Sequence, residues 1–436
     1  MKKAPSSKRR ERSAPEKKPA RRRRLFGSDF MGGFECSTHV RRDGRRLDLI
    51  ASTRHDRFAR QDYERLSKMG IRAARDGVRW HLVDRGTRRY DWSPVLPLIA
   101  GARRAGVEVS WDLLHFGWPD RLDPFSEEFV ERFAAYAHAF AVLWARESDS
   151  RLIVTPVNEI SFLSFAGGEK GFFNPFATRR GDELKEQLVR AAIAACREIR
   201  AVARSARFVH SDPIINIIAD PTRPEDRLQA ELYRLSQYAA WDMIAGRVRP
   251  ELGGRPEYLD VVGVDYYVHN QWMHNGKMLP PSHPQHLPLR YMLRELHRRY
   301  RRPVIIAETG IEAEARPDWL RYIGREALAA RAMGVELEAV CLYPIVDHPG
   351  WEDDRHCPNG LWGYPDDAGR RPVYEPLAAE LARQQQAFAE GKAPAELAGT
   401  MGEALLPEEE AALDRAAFTI DEETEKSRKA GSKAGK

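Results

Sequence analysis

The sequence contains the stretch Arg302-Pro-Val-Ile-Ile-Ala-Glu-Thr-Gly310, in which a carboxylate directly follows a run of apolar residues. The apolar residues Val304 to Ala307 predict a strand that is buried on both faces, as in parallel sheets. Glu308 stands where this strand ends, and a carboxylate in such a place rarely lacks a partner or a task. The stretch Arg151-Leu-Ile-Val-Thr-Pro-Val-Asn-Glu159 has the same design. Two buried strands therefore deliver two glutamates to one end of a sheet.

Short apolar runs alternate with amphipathic stretches over most of the chain. The runs predict strands at 29–36, 71–75, 107–115, 152–157, 208–212, 259–267, 304–308 and 337–345. The amphipathic stretches predict helices at 57–69, 94–105, 127–146, 184–202, 227–245, 289–300, 319–333 and 374–388. Strict alternation predicts an α/β protein with a parallel sheet, and eight repeats predict a (β/α)8 TIM barrel. A doubly wound sheet would need a glycine-rich phosphate loop, which Gly32-Gly33 alone does not supply.

Charge divides the 436 residues into three parts. Residues 1–24 hold twelve Lys or Arg against two Glu, a net charge of +10, which leaves −4 for the rest of the chain. We therefore expect a disordered basic arm at 1–25, a barrel domain at 26–390 and a mobile Ala/Glu/Lys-rich tail at 391–436. Any contact of the arm with nucleic acid should be nonspecific.

Several classes of protein are disfavoured by the sequence. No run of about 18 apolar residues predicts a membrane span. The arginines at 21–24 are not followed by the apolar segment of an export signal. The four cysteines form no metal-binding or disulfide pattern, so reduced thiols in a cytoplasmic protein are expected, without metal or organic cofactor. The oligomeric state is left open.

A TIM barrel places its functional groups at the carboxyl ends of its strands. Polar and aromatic residues fall at nearly every one of these predicted ends: His39, Arg75, His115, Asn158, Glu159, Tyr267, Glu308 and, after the last strand, Trp351. Such a ring, with apolar residues behind it, is typical of a mouth that binds sugars. A pair of facing carboxylates is the smallest set of catalytic groups with which most glycoside hydrolases work.

The two glutamate segments resemble motifs of the family 1 glycoside hydrolases. Thr155-Pro-Val-Asn-Glu159 is similar to the family's Thr-Phe-Asn-Glu-Pro, and Ile306-Ala-Glu-Thr-Gly310 is similar to its Thr-Glu-Asn-Gly. Weaker similarities lie at Arg75…Trp80, at His115-Phe-Gly-Trp-Pro119, at Val262-Gly-Val-Asp-Tyr-Tyr267 and at 345–363. Together the segments follow the family's order over residues 26–390.

The sequence also departs from this family. Ile160 stands where the family has proline, and Thr309 stands where it has asparagine. His39 falls at a position of a sugar-binding glutamine, and Tyr343-Pro344 replaces Trp-Ser. The Glu-Trp pair that holds distal hydroxyls appears as Trp351-Glu352. The catalytic core therefore resembles that of the family, whereas the shell that recognises the glycone differs.

The resemblance implies a retaining cleavage of a β-linked, small-molecule glycoside. Glu308 would be the nucleophile and Glu159 the general acid/base, with their carboxyls ~5–5.5 Å apart. Around them, Arg75 would stabilise the ionised form of Glu308 and Tyr267 would orient Glu308. Asn158 would bond to the sugar 2-hydroxyl. His115 and His39 would bind other hydroxyls, and Trp351 would stack on a sugar ring.

Three alternatives are compatible with the sequence. A transglycosylase would use the same two glutamates and a different acceptor. A non-catalytic sugar-binding barrel would keep the fold, and the departures at Ile160, at Thr309 and in the strand-eight motif leave this alternative open. In a third, the basic arm carries the function, and deletion of residues 1–24 would abolish it.

Overall fold

The structure is a computed structural model that describes residues 24–86 and 88–391. The predictions for the arm at 1–23 and for the tail at 392–436 lie outside the described residues. Within them, parallel strands close into a barrel: β1 (Phe30–Gly33), β2 (Ala73–Gly77), β3 (Glu108–Leu114), β4 (Ile153–Val157), β5 (Arg207–Pro213), β6 (Val261–Asp265), β7 (Val304–Thr309) and β8 (Leu337–Leu342). Neighbours in the chain are neighbours in the sheet, and β1 pairs with β8. The predicted (β/α)8 barrel is confirmed.

The longer helices of the described residues follow the strands in turn. They are α1 (His55–Lys68), α2 (Leu96–Ala105), α3 (Glu127–Glu147), α4 (Gly181–Val202), α5 (Arg227–Ser236), α6 (Leu289–Tyr300), α7 (Arg316–Ala332) and α8 (Glu375–Glu390). Shorter helical segments are Leu49–Ser52, Trp80–Val83, Ile160–Leu163, Ser164–Glu169, Pro224–Asp226, Ala239–Ile244, Pro250–Leu252 and Ala313–Ala315. Short strand pairs join Asn216–Ile218 to Gln271–Met273 and His348–Pro349 to His356–Cys357.

The predicted helix at 227–245 is wrong as a single element. The first part of this stretch is α5, which ends at Ser236, and a separate short helix forms at Ala239–Ile244. The buried amide of Gln237 lies in the break, where it accepts from the Ile215 N–H at 3.0 Å and donates to the Ile215 carbonyl at 3.1 Å. These bonds satisfy the backbone of the loop after β5, which explains why the chain turns at this point.

The first strand is shorter than predicted because the chain leaves the sheet after Gly33. A Cβ atom on Gly33 would lie 2.1 Å from the ring of Tyr343, so only glycine permits this approach. Residues 35–39 then leave the ladder and turn across the carboxyl end of the barrel. The predicted last strand likewise ends at Leu342 rather than at 345.

The barrel interior is a closed apolar core. Its buried members are Leu25, Phe26, Met31, Ala73, Ile153, Val209, Val261, Ile305, Ala307, Ala339, Cys341 and Tyr343. A larger cluster fills the layer between strands and helices. All four cysteines are free and buried. Among the described residues, no helix is long and apolar enough to cross a membrane.

A buried ionic network joins α1 to β2 and to the loop before α8. His55 lies 2.9 Å from Asp62 through Nδ1 and 3.0 Å from Asp76 through Nε2. Arg371 donates to both oxygens of Asp62, at 2.7 and 2.9 Å. Burial alone would lower the pKa of His55, but the two carboxylates raise it from 6.5 to about 9. The imidazolium is therefore the form that the folded protein prefers.

This network predicts a fall in stability at alkaline pH. A histidine with a raised pKa stabilises fully below its unfolded value and loses that contribution as the pH rises through its folded value. The free energy of unfolding should therefore fall between pH 6.5 and about 9, by about 3 kcal/mol at most. Urea unfolding across this range would measure it, and His55→Gln should flatten the curve. An unchanged slope in the variant would contradict the prediction.

Candidate active site

Arg75 on β2 lies at the centre of the carboxyl end of the barrel and is fully buried. Its guanidinium donates to both oxygens of Asp112 on β3, at 3.0 and 2.8 Å, and to Glu308 Oε1 on β7 at 2.7 Å. It also donates to Asn158 Oδ1 and, at 3.2 Å, to Ser211 Oγ on β5. One cation thus fixes side chains from several strands in a single arrangement.

Glu308 receives hydrogen bonds from three different side chains. Besides Arg75, the Tyr267 hydroxyl donates to Oε2 at 2.9 Å, and Asn158 Nδ2 donates to Oε1 at 3.3 Å. Burial raises the pKa of Glu308, and Arg75 opposes that rise. Three donors favour the ionised carboxylate, which is the form that a nucleophile needs.

His115 connects Asn158 to Asp112. Its Nδ1 lies 2.9 Å from Asp112 Oδ2, and its Nε2 lies 3.1 Å from Asn158 Nδ2. The tautomer with the proton on Nδ1 satisfies both contacts, because Nδ1 then donates to Asp112 and Nε2 accepts from Asn158. Both amide hydrogens of Asn158 are consequently in use, one on His115 and one on Glu308. A sugar hydroxyl that binds Asn158 must share or replace one of these bonds.

Glu159 follows β4 in a left-handed backbone conformation, with φ 45° and ψ 60°. Such a conformation is uncommon for a residue other than glycine and costs on the order of 1 kcal/mol. A bond from its N–H to the Ser211 carbonyl, at 3.0 Å, helps to hold it there. In contrast to Glu308, its carboxyl accepts no hydrogen bond from the described residues.

The two glutamates lie close together in different environments. Carboxylate oxygens of Glu159 and Glu308 approach to within 4.8 Å, and the residues are only 8% and 5% exposed. Burial raises the pKa of Glu159 well above its ordinary value, and the neighbouring Glu308, Asp265 and Asp212 raise it further. Glu159 is therefore the member of the pair that retains a proton, and Glu308 is the member that stays charged.

His39 and Trp351 lie in an aromatic cluster at the rim rather than on the glutamates. The ring of His39 lies 4.8 Å from that of Trp351 and 4.7 Å from that of Phe173. Trp351 is half-buried and also packs on Phe116, at 5.5 Å. Burial lowers the pKa of His39 to about 3, so its imidazole is neutral. Of the predicted site residues, Arg75, His115, Asn158, Tyr267 and Glu308 form one network, with Glu159 beside it.

Three departures from the resembled motifs have local explanations. The Thr309 hydroxyl donates to the Tyr266 carbonyl at 2.7 Å and accepts from Trp319 Nε1 at 2.8 Å. It therefore forms hydrogen bonds with buried groups of the core. Ile160 is buried and begins the short helix that follows Glu159. Glu352 is exposed.

Glu35 is a buried carboxylate that the sequence analysis did not single out. It follows β1, and its Oε1 accepts from the Ser37 N–H at 2.9 Å and lies 3.9 Å from His115 Nε2. Burial raises the pKa of Glu35, but the nearby His115 and His348 bring it below its ordinary value. A negative charge therefore borders the site on the side opposite Glu159. The charge of Glu35 inside an apolar stretch was the signal available in the sequence.

Asp112 and Asp265 were missed for a related reason. Both lie within stretches predicted as buried strands, and both have no exposed surface. Burial alone would raise the pKa of Asp112, but Arg75 and His115 bring it below its ordinary value. Asp265 lies 3.9 Å from Arg75 Nη1, and neither of its oxygens accepts a hydrogen bond from the described residues.

Two groups of side chains place ligand-type atoms close enough together to surround an ion. They are Cys36, Asp112 and His115, and Glu159, Asp265 and Glu308. In the first group, Arg75 occupies both oxygens of Asp112, and burial keeps the Cys36 thiol protonated by raising its pKa. The second group contains the candidate catalytic pair, so an ion there would compete with catalysis by the two glutamates.

Comparison with known proteins gives structural matches only. No family model and no curated protein matches the sequence. A family 1 β-glucosidase from Thermotoga maritima superimposes with a TM-score of 0.67 at 15% identity, over 83% of this chain and 98% of that chain. The fold is that of a family 1 β-glucosidase. The Thermotoga maritima β-glucosidase in complex with glucoimidazole gives a TM-score of 0.68 at 16% identity, over 84% of this chain and 99% of that chain.

A further match confirms the extent of the shared fold. The β-glycosidase BGL167 superimposes with a TM-score of 0.62 at 19% identity, over 77% of this chain and 87% of that chain. The overlap covers most of both chains in each case, so the likeness extends over the whole barrel.

Proposed function

We propose that this protein is a retaining glycoside hydrolase that cleaves a β-linked glycoside, with Glu308 as nucleophile and Glu159 as general acid/base. The observation that carries the proposal is the unequal environment of two adjacent carboxyls. Glu308 has three hydrogen-bond donors, whereas Glu159 has none among the described residues. Environments that push the pKa values of two neighbouring carboxyls apart assign one as acid and the other as nucleophile.

The spacing of the carboxyls supports the retaining course. Their oxygens lie within 4.8 Å of each other, in line with the ~5–5.5 Å of retaining enzymes and short of the ~6.5–9.5 Å that inverting enzymes use. Inversion requires a water molecule between the carboxylate that acts as base and the sugar, and that water needs the wider gap. The shared fold with β-glucosidases favours the β-linkage.

The two steps follow from this arrangement. In the first, a Glu308 oxygen bonds to the anomeric carbon while the glycosidic C–O bond breaks and the Glu159 proton passes to the departing oxygen. The negative charge of Glu308 is then lost in the ester, so the pKa of Glu159 falls and its carboxylate can act as a base. In the second step it takes a proton from water, whose oxygen attacks the anomeric carbon and releases Glu308.

Arg75 and Tyr267 support the nucleophile in this proposal. They keep Glu308 charged and fix both of its oxygens, with Arg75 at 2.7 Å from Oε1 and Tyr267 at 2.9 Å from Oε2. Glu35, His115 and His39 face the remainder of the mouth and are proposed to bind glycone hydroxyls, and Trp351 is proposed to stack on a sugar ring. Asn158 is proposed to donate to the 2-hydroxyl.

The proposal predicts covalent labelling of Glu308. Incubation with dinitrophenyl 2-deoxy-2-fluoro-β-glycosides of gluco and galacto configuration should add one fluoroglycosyl mass to the intact protein. Fluorine slows both steps, and the good leaving group restores the first, so the ester accumulates. Peptide mapping should place the label on Glu308.

Two variants serve as controls for this experiment. Glu308→Gln should take no label, whereas Glu131→Gln, which changes an exposed glutamate on the outer helix α3, should be labelled like the wild type. A label on another residue would reassign the nucleophile. Absence of labelling, together with absence of turnover of the 4-nitrophenyl β-glycosides of the same sugars, would favour the sugar-binding barrel.

A further inference from the structure

Asp265 is a third carboxyl beside the candidate catalytic pair. It ends β6, has no exposed surface, and has an oxygen within 4.8 Å of oxygens of both Glu159 and Glu308. Neither of its own oxygens has a hydrogen-bond partner among the described residues. A buried polar group without a partner is costly, so this position calls for an explanation.

The surroundings of Asp265 are mostly acidic. Titratable groups face it from every neighbouring part of the barrel: Arg75 on β2, Asp112 on β3, Glu159 after β4, Asp212 on β5, Glu308 on β7 and Cys341 on β8. Arg75 is the cation among them, and Asp112 and Glu308 already accept its shortest bonds to carboxylates. At 3.9 Å, Asp265 is too far from Arg75 for a hydrogen bond.

An ionised Asp265 would therefore add an uncompensated charge to the cluster. Burial raises the pKa of Asp265 well above its ordinary value, and Glu308 raises it further. A neutral carboxyl has an O–H to donate, and the acceptors within reach of a small side-chain movement are the two glutamates. A buried carboxyl that is kept neutral in order to donate a hydrogen bond has precedent in enzymes.

We propose that Asp265 is a positioning residue that stays protonated and donates its O–H to whichever catalytic carboxylate is charged. This inference rests on the proposed function. In the free enzyme the acceptor is Glu308. In the glycosyl-enzyme intermediate Glu308 is an ester and Glu159 has given up its proton, so the acceptor becomes Glu159.

The net charge of the three carboxyls is consistent with this arrangement. The three carboxyls carry one negative charge in the free enzyme, on Glu308, and one in the intermediate, on Glu159. Asp265 keeps its own proton in both states, so the net charge of the three carboxyls stays at −1 while the charged carboxylate changes from Glu308 to Glu159. The proton transferred in each step moves between Glu159 and the departing oxygen or the attacking water.

Infrared spectroscopy tests the protonation state without requiring turnover. The difference spectrum between wild type and Asp265→Asn at pH 7 should show the carbonyl stretch of a protonated carboxyl, lost in the variant. If that band is missing, or if Mn²⁺ binds to the wild type and not to Asp265→Asn as followed by electron paramagnetic resonance, Asp265 is ionised and the proposal is overturned. A failure of the proposed glycosidase activity would leave this measurement unaffected.

Kinetics test the hydrogen bond. Asp265→Asn keeps a neutral donor of the same size, whereas Asp265→Leu keeps the size and removes the donor. We expect Asp265→Leu to have a kcat/KM about 10- to 100-fold below that of Asp265→Asn. The acidic side of its pH profile of kcat/KM should move to higher pH, because the loss of a hydrogen-bond donor raises the pKa of Glu308. Equal rates and pH profiles in the two variants, both folded by thermal unfolding, would overturn the proposed donation.

Discussion

Replacement of Glu308 by glutamine is expected to lower kcat on 4-nitrophenyl β-glycosides by roughly five orders of magnitude, because no nucleophile remains. The amide has nearly the shape of the carboxylate, and the oxygen that it keeps can still accept from Arg75, which bonds to Oε1 in the wild type, while the Tyr267 hydroxyl can accept from the new amide nitrogen at the position of Oε2. Substrate binding should therefore change far less than kcat. Steady-state kinetics with a sensitive chromogenic substrate would measure the ratio.

Glu131→Gln is a matched control for this experiment, since it makes the same chemical change on an exposed residue of the outer helix α3. It should retain wild-type kcat and KM. External azide offers a second check in Glu308→Gly, whose missing side chain leaves room for a small anion to act as the nucleophile and restore turnover. A Glu308→Gln enzyme with more than a tenth of wild-type activity would remove Glu308 from the mechanism.

Replacement of Arg75 by methionine is expected to abolish activity and to lower the free energy of unfolding by about 3–5 kcal/mol at pH 7. Methionine fills part of the volume but leaves Asp112 and Glu308 buried without their cation. Urea unfolding followed by tryptophan fluorescence would measure the loss. An Arg75→Met protein as stable as the wild type would contradict the central position assigned to Arg75.

The effect of Arg75→Met should depend on pH with a definite sign. In the wild type the pKa of Asp112 lies below its ordinary value, so its stabilisation is present at neutral pH and is lost as the pH falls. The variant lacks this stabilisation, and the two stability curves should converge below about pH 4. Arg72→Met, on an exposed arginine just before β2, should change stability by less than about 0.5 kcal/mol at any pH.

Much of the barrel could be predicted from sequence because its signals are local. The apolar run before Glu308 indicates a buried strand, and the carboxylate after it indicates the functional end, without knowledge of any other segment. The break after α5 could not be predicted, because it depends on the contact between Gln237 and Ile215. That contact joins parts of the chain whose proximity only the fold establishes.

The site was predicted in part for the same reason. Residues at strand ends, such as Asn158 and Tyr267, were found by position. Asp112 and Asp265 lie inside the predicted strands 107–115 and 259–267, and their surroundings depend on Arg75, which donates to Asp112 and lies 3.9 Å from Asp265. A sequence shows a charged residue in an apolar stretch, but it does not show which cation lies opposite.

The hydrogen bond between Arg75 and Glu308 joins residues 233 positions apart, so the order of synthesis bears on when the site forms. A growing chain that has released β2 and β3 can already pair Arg75 with Asp112. Glu308 can join this ion pair only after β7 has been synthesised, and the barrel closes only when β8 pairs with β1. Contacts of such long range slow folding. Glu308 is thus among the last residues to reach the candidate site, and partly folded chains lack its contact with Arg75.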